Sequence, residues 1–351
     1  MKRIILSINC ALLIFLLTAG SALALPKIKV LATGGTIAGV QSDPGKAHYE
    51  AGVVKIESII ASAPQIAKIA ELSGEQVSNI GSQDMNNEVW MKLARRVNEL
   101  QKDPAVDGIV ITHGTDTMEE TGFFLNLVTK GAKPVVMAGS MRPSTALSAD
   151  GPMNLFNAVA VATHPDARGR GVMVVLNDEV HYARDIEKRN TTQLDTFKSP
   201  NRGLAGVVNT GAVYFFARPE ARHASGEFSI DTLKALPRVE IFYAHANMGR
   251  EFIDQAGRSG VEGIVLAGVG DGGATAPAVA ALTAAARQGI IVVRSSRTGS
   301  GLVARNVGTD DEKIGSVAAY EHNPQKARVL LMLALTKTRD PGLIQEYFKK
   351  Y

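Results

Sequence analysis

Seven short apolar runs recur along the chain. "IKVLAT" (28–33), "GIVITH" (108–113), "KPVVMAGS" (133–140) and "GVMVVLN" (171–177) come first, then "VEIFYAHA" (239–246), "GIVLAGVG" (263–270) and "GIIVVRSS" (289–296). Runs that are apolar at successive positions and rich in Val and Ile suit parallel strands buried on both faces. Between them the period changes. "NEVWMKLARRVNELQ" (87–101) spaces Val89, Leu93 and Val97 four residues apart, as one face of a helix requires. "EETGFFLNLVTK" (119–130), "PMNLFNAVAVAT" (152–163) and "NPQKARVLLMLALTKT" (323–338) start with acidic residues, Pro or Asn, as helices do. This alternation predicts an α/β fold with helices on both faces of a mostly parallel sheet.

The pattern lapses over residues 217–237, "ARPEARHASGEFSIDTLKALP", which is polar and carries two prolines. A linker there divides the chain into a larger α/β domain, residues 25–216, and a smaller one, residues 238–351. At the other end, "MKR" precedes the apolar run "IILSINCALLIFLLTAG", and Ala22 and Ala24 have cleavage-site spacing. Residues 1–24 therefore read as a secretory signal that leaves Leu25 as the first residue in the periplasm; a membrane anchor is the alternative.

Composition then narrows the function. Two of the 38 basic residues, Lys2 and Arg3, belong to the leader, so residues 25–351 carry 36 basic against 34 acidic side chains, a formal +2. That balance gives no case for nucleic acid as a partner. The single cysteine, Cys10, also lies in the leader. The exported chain can form neither disulfides nor thiolate metal sites, and its stability must come from packing and oligomerisation.

Candidate chemistry begins at "LATGGTIAGV" (31–40), where Gly34 and Gly35 follow a strand and permit a sharp turn and close backbone approach. The spacing is neither G-x-G-x-x-G nor a P-loop, which argues against a nucleotide. A second buried-looking strand ends in Gly114-Thr115-Asp116. Carboxyl ends of neighbouring parallel strands share one crevice, so Thr36 and Thr115 are expected to converge. A threonine hydroxyl attacks only when a base takes its proton. Lys198, in "LDTFKSPN", is the candidate, provided that burial or a neighbouring cation favours its neutral form; spacing does not select it.

With these residues in view, the chain resembles the bacterial type II L-asparaginases and the related glutaminase-asparaginases over residues 25–351. The motifs that carry the resemblance are "LATGGTIAG" and "GIVITHGTDTM", extended by "NIGSQDMNNEVW", "MRPSTALSADGPMNL", "VLNDEV" and "NPQKARVLLMLALTKTRDP". The resemblance implies a two-domain fold whose larger domain is flavodoxin-like. It also implies an amidohydrolase that converts L-asparagine, and L-glutamine as a second substrate, to the acid and ammonia without metal or organic cofactor. By the same resemblance Thr36 is the nucleophile, Tyr49 a loop tyrosine that orients it, and Thr115, Asp116 and Lys198 a second catalytic group. Gly35, Ser82, Gln83, Gly114 and Ser140 bind substrate, with Asp116 facing its ammonium. The family's homotetramers share sites between subunits, which would make Asn247 a residue lent by a neighbour. One departure is visible: Gly308 stands where relatives often carry a glutamate, with Asp310, Asp311 and Glu312 nearby as substitutes.

Other polar residues read as structural. His113 is expected to end its strand by hydrogen bonding and not to ligate a metal. Glu119 and Glu120 suit the start of a helix. Ser295 to Arg297 reads as a strand end away from the chemistry. A periplasmic solute receptor, which also has two α/β domains behind an export signal, is the rival class; paired Gly-Thr strand ends with Asp116 and Lys198 exceed what binding alone needs.

Overall fold

The computed structural model describes residues 24–42, 48–216, 218 and 227–351. The leader therefore lies, apart from Ala24, outside the described residues, as does most of the first half of the linker. The larger domain is built on an eight-stranded sheet: β1 (Lys27–Gly34), β2 (Glu71–Ile80), β3 (Gly108–Thr112), β4 (Val135–Ala138), β5 (Val172–Leu176), β6 (Glu179–Tyr182), β9 (Gly206–Asn209) and β10 (Ala212–Phe215). A separate two-stranded ladder joins β7 (Glu187–Lys188) to β8 (Phe197–Lys198). The large sheet has the order β10-β9-β6-β5-β4-β3-β1-β2, with β2, β1, β3, β4 and β5 mutually parallel and the remainder antiparallel. The parallel part is the flavodoxin-like order, whose switch point lies between β1 and β3.

Period-two alternation along these strands sorts side chains onto two cores. Leu31, Ile109, Ile111, Met137 and Val174 meet the helices Asn87–Lys102 and Met118–Val128 on one face. Val30, Val110, Val136 and Val175 meet Ile56–Ala61 and Gly151–Thr163 on the other. All four predicted runs of this domain are strands, and its three predicted helices form within a residue or two of their expected limits.

The smaller domain is a four-stranded parallel sheet, β11 (Val239–Tyr243), β12 (Gly263–Gly268), β13 (Ile291–Ser296) and β14 (Ser316–Ala318), in sequential order. The helix Pro324–Leu335 packs on β12 and on the helix Met118–Val128 of the larger domain, so it is buried from both sides. The second half of the expected linker is not loose: Phe228, Ile230 and Leu236 are buried, and the Phe228 ring packs at a tilt against Tyr347 and Tyr351. Among the described residues no helix is long and apolar enough to cross a membrane.

Candidate active site

Four adjacent parallel strands end on the same edge of the large sheet and bring the candidate residues together. β2 leads into Ser82, β1 into Thr36, β3 into Thr115 and Asp116, and β4 into Ser140. β1 and β3 are registered through Ala32 and Thr112, so Thr36 and Asp116 lie four residues beyond a paired position. The close approach depends on missing side chains. A Cβ on Gly35 would lie 2.3 Å from the backbone of Gly114, and one on Gly114 would lie 2.6 Å from Ser82 Oγ. Gly34 and Gly35 also hold φ of +106° and +81°, which L-residues avoid. The two Gly-Thr pairs are thus the device that sets Thr36 beside Thr115.

Thr36 opens a single 3-10 turn and is almost wholly buried. Its Oγ1 lies 2.8 Å from the hydroxyl of Tyr49. Val40 and Glu50 pair across the base of the loop that carries this tyrosine, and Ser144 and Thr145 tie Gly39 and Gln41 to the neighbouring loop. The structure therefore brings Thr36 and Tyr49 together.

Thr115 is buried, whereas the Asp116 side chain is largely open to solvent. The lysine that reaches them is Lys188. Its Nζ donates to Thr115 Oγ1 at 3.0 Å and to Asp116 Oδ1 at 2.5 Å. Lys198 does not reach the site, which corrects the expectation from sequence. Its Nζ lies 3.5 Å from Asp195 and 3.9 Å from Glu179, and its side chain is 43% exposed. The ladder explains the exchange: Lys198 stands opposite Glu187 and Lys188 opposite Phe197. Cross-strand partners share a face and successive residues alternate, so Lys188 and Lys198 point to opposite faces of one hairpin. Nothing in local composition separates "IEKRN" from "TFKSP"; the topology chooses.

Ser82 is buried, and its Oγ accepts the backbone N–H of Asp116 at 3.1 Å. Gln83 is exposed beside it. The Ser140 hydroxyl donates to Arg142 O at 2.7 Å. Asn247 stands apart, exposed in the loop after β11 at φ +60°, with no hydrogen bond among the described residues to any other candidate in the same chain.

The acids near Gly308 divide by environment. Asp311 is wholly buried and binds Arg294 through two bonds of 2.6 and 2.7 Å. Burial pushes its carboxyl up, but Arg294, the Asn306 N–H and the Ser316 hydroxyl outweigh this and hold it below the usual carboxylate range. Asp311 is therefore unavailable to replace a glutamate. Asp310 caps the short helix Asp311–Ile314 through Lys313 N, and exposed Glu312 accepts from Asn306.

Behind the site, His113 is buried, and its Nδ1 lies 2.6 Å from Gly114 O, the strand-ending bond expected of it. Burial lowers its pKa to about 4. Glu119 and Glu120 begin the helix Met118–Val128 as predicted. Glu119 goes further than its sequence reading: it is buried and accepts the backbone N–H of Lys188 at 2.9 Å. Burial pushes its carboxyl up, while Lys326 and that N–H oppose the shift. Ser295 has the structural role expected, donating to His322 O. Among the described residues no group of three His, Cys, Asp or Glu side chains is placed to hold a metal.

Comparison with known proteins identifies the family. The family model described as "Asparaginase, N-terminal" matches residues 27–221, and "Glutaminase/Asparaginase C-terminal domain" matches residues 238–348. A "Probable L-asparaginase periplasmic" of Haemophilus influenzae is 47% identical over 97% of this chain and 98% of its own. A "Glutaminase-asparaginase" of Pseudomonas fluorescens biotype A is 47% identical over 93% of this chain and 91% of its own. The crystal structure of a probable cytoplasmic L-asparaginase from Campylobacter jejuni superposes with a TM-score of 0.90 at 45% identity, covering 93% of this chain and all of that one. Two matched domains and full-length relatives at nearly half identity place the chain in the asparaginase and glutaminase-asparaginase family.

Proposed function

We propose that this protein hydrolyses the side-chain amide of L-asparagine, with L-glutamine as a second substrate, to the acid and ammonia through a threonine-bound acyl-enzyme. The observation that carries this reading is the pair of hydroxyls at adjacent strand ends, each with its own polar partner: Thr36 with Tyr49 and Thr115 with Lys188. The names of the relatives support the amide as the bond that is cut.

In this mechanism Thr36 Oγ1 bonds to the amide carbon as its proton passes through the Tyr49 hydroxyl to the amide nitrogen, and the carbonyl electron pair moves to oxygen, where backbone N–H groups of the strand-end turns receive it. Ammonia leaves once the amide nitrogen is protonated, and water then cleaves the ester by the same route in reverse. Lys188 donates into Thr115 Oγ1, which turns the Thr115 proton toward the site. The Asp116 side chain, open to solvent, suits the substrate ammonium. Asn247 serves the site of a neighbouring subunit in a homotetramer. Export by residues 1–24 completes the proposal, and N-terminal sequencing of the secreted protein should begin at Leu25.

The deciding experiment measures ammonia release from asparagine and glutamine by residues 25–351, beside Thr36→Ala and Thr115→Val. Each variant is expected to lose about a thousandfold or more of kcat while keeping its fold. Near-normal turnover in either removes that residue from the mechanism. Absence of release in the parent protein, with amino-acid binding retained, would make it a receptor. The ratio of the two substrates rests on one methylene, worth about 1 to 3 kcal/mol.

A further inference from the structure

Lys188 sits in a strand of two residues that belongs to neither main sheet. One edge of that strand pairs with β8. Its other edge meets side chains instead of a strand. The N–H of Lys188 donates to Glu119 Oε2 at 2.9 Å, and the carbonyl of Ile186, two residues earlier, accepts from Lys326 Nζ. Lys326 belongs to the smaller domain and is 2% exposed. The second oxygen of Glu119 accepts from Asn323 Nδ2 at 3.3 Å, and the Asn323 side-chain oxygen caps the helix Pro324–Leu335 through Lys326 N at 2.9 Å. The backbone leading into one lysine is thus held at two points by a carboxylate and an ammonium, both buried at the junction of the two domains.

We infer that Lys326 directly, and Asn323 through Glu119, are positioning residues by which the C-terminal domain of the same chain sets Lys188 against Thr115 and Asp116. The inference rests on the proposed role of Lys188. Stability alone is a poor reason for this arrangement, because burying a carboxylate and an ammonium costs desolvation that apolar residues filling the junction would avoid. Here the polar contacts converge on the two backbone groups that fix where one side chain begins. A displacement of about 1 Å at a reacting group costs on the order of a hundredfold in rate.

The test is steady-state ammonia release from asparagine by the full exported chain carrying Lys326→Met, Asn323→Ser, Lys188→Met, and Lys326→Met with Lys188→Met. Serine keeps an oxygen able to cap the helix but does not reach Glu119. Lys326→Met is expected to lower kcat about tenfold or more with KM within about twofold, and Asn323→Ser to shift kcat the same way by a smaller factor. In the Lys188→Met background, Lys326→Met should cause no further loss of the residual rate, because both act on one group. Unchanged kcat, a rise in KM alone, or full additivity in the double variant overturns the inference. If Lys326→Met does not fold, Asn323→Ser decides by the same criteria. A near-normal rate in Lys188→Met sinks the proposed function itself; an inactive Lys188→Met beside a normal Lys326→Met sinks the positioning role alone.

Discussion

Gly35 combines φ of +81° and ψ of −172° with a backbone neighbour that leaves no room for a Cβ. That conformation is essentially reserved for glycine, and the contact is with the rigid backbone of Gly114 rather than a movable side chain. Gly35→Ala is therefore expected to cost about 2 to 4 kcal/mol and to part the two strand ends. Thermal unfolding and kcat should both fall, with kcat reduced at temperatures where the variant is still folded; a stable variant of normal rate would remove the close approach from the argument. At this scale much was legible. The glycines announce close approach because only they permit it, and Thr36 and Thr115 follow directly. The lysine was not legible, because Lys188 and Lys198 share a hairpin and nearly the same polarity, and the choice depends on which residue faces which across the ladder.

At the scale of elements, the Arg294–Asp311 pair shows how β13 organises the segment that follows it. Arg294 reaches Asp311, the carbonyls of Asp271 and Ala304, and no solvent to speak of. Asp311 in turn holds Asn306 N and the Ser316 hydroxyl. Asp311→Ala leaves a buried guanidinium without its counter-charge, a loss of about 3 to 5 kcal/mol. A drop of several degrees in the unfolding temperature would register it, with proteolysis mapping first to the segment around Gly308; an unshifted transition would show the pair to be dispensable. Sequence patterning also missed an element here and there for a physical reason. β2 is an edge strand with only Val77 buried, and charged, polar edge positions discourage pairing with other chains while erasing the apolar signal.

For the whole molecule, the helix Met118–Val128 of one domain and Pro324–Leu335 of the other form the seam. Glu120 lies 3.7 Å from Arg328 across it. Burial raises the Glu120 carboxyl to about 7, Arg328 opposes the shift, and Glu119 adds to it. A carboxylate raised in the folded state contributes stability that is complete below its unfolded value of about 4.5 and is lost as pH rises through about 7. Denaturation of wild type and Glu120→Gln from pH 4.5 to 8 should therefore diverge. The stability of wild type relative to the variant is expected to decline by on the order of 2 to 3 kcal/mol across that window. A constant difference would mean that Glu120 keeps an ordinary carboxylate pKa. His113 and His322, lowered by burial to about 4 and about 3, act in the opposite sense: their contribution is present above about 6.5 and is lost as pH falls through those values.

The sequence by itself determined the class of fold and the strand ends that form the candidate site. All seven apolar runs became strands of two sheets, six of them buried along nearly their whole length and β11 an edge strand with only Val239 buried, because a strand covered on both faces must be apolar at nearly every position, and that demand is local. The Gly-Thr strand ends were legible for the same reason, since close backbone approach restricts the residue at the point of contact. Tertiary structure alone decided what depends on distant partners. It chose Lys188 over Lys198, spent Asp311 inside the fold on Arg294, and set Glu119, which sequence places only at a helix start, between the lysine strand and Asn323 of the other domain. Such polar side chains carry no periodicity of their own, and their roles are fixed by which backbone atoms the packed sheets and helices leave in need of a partner.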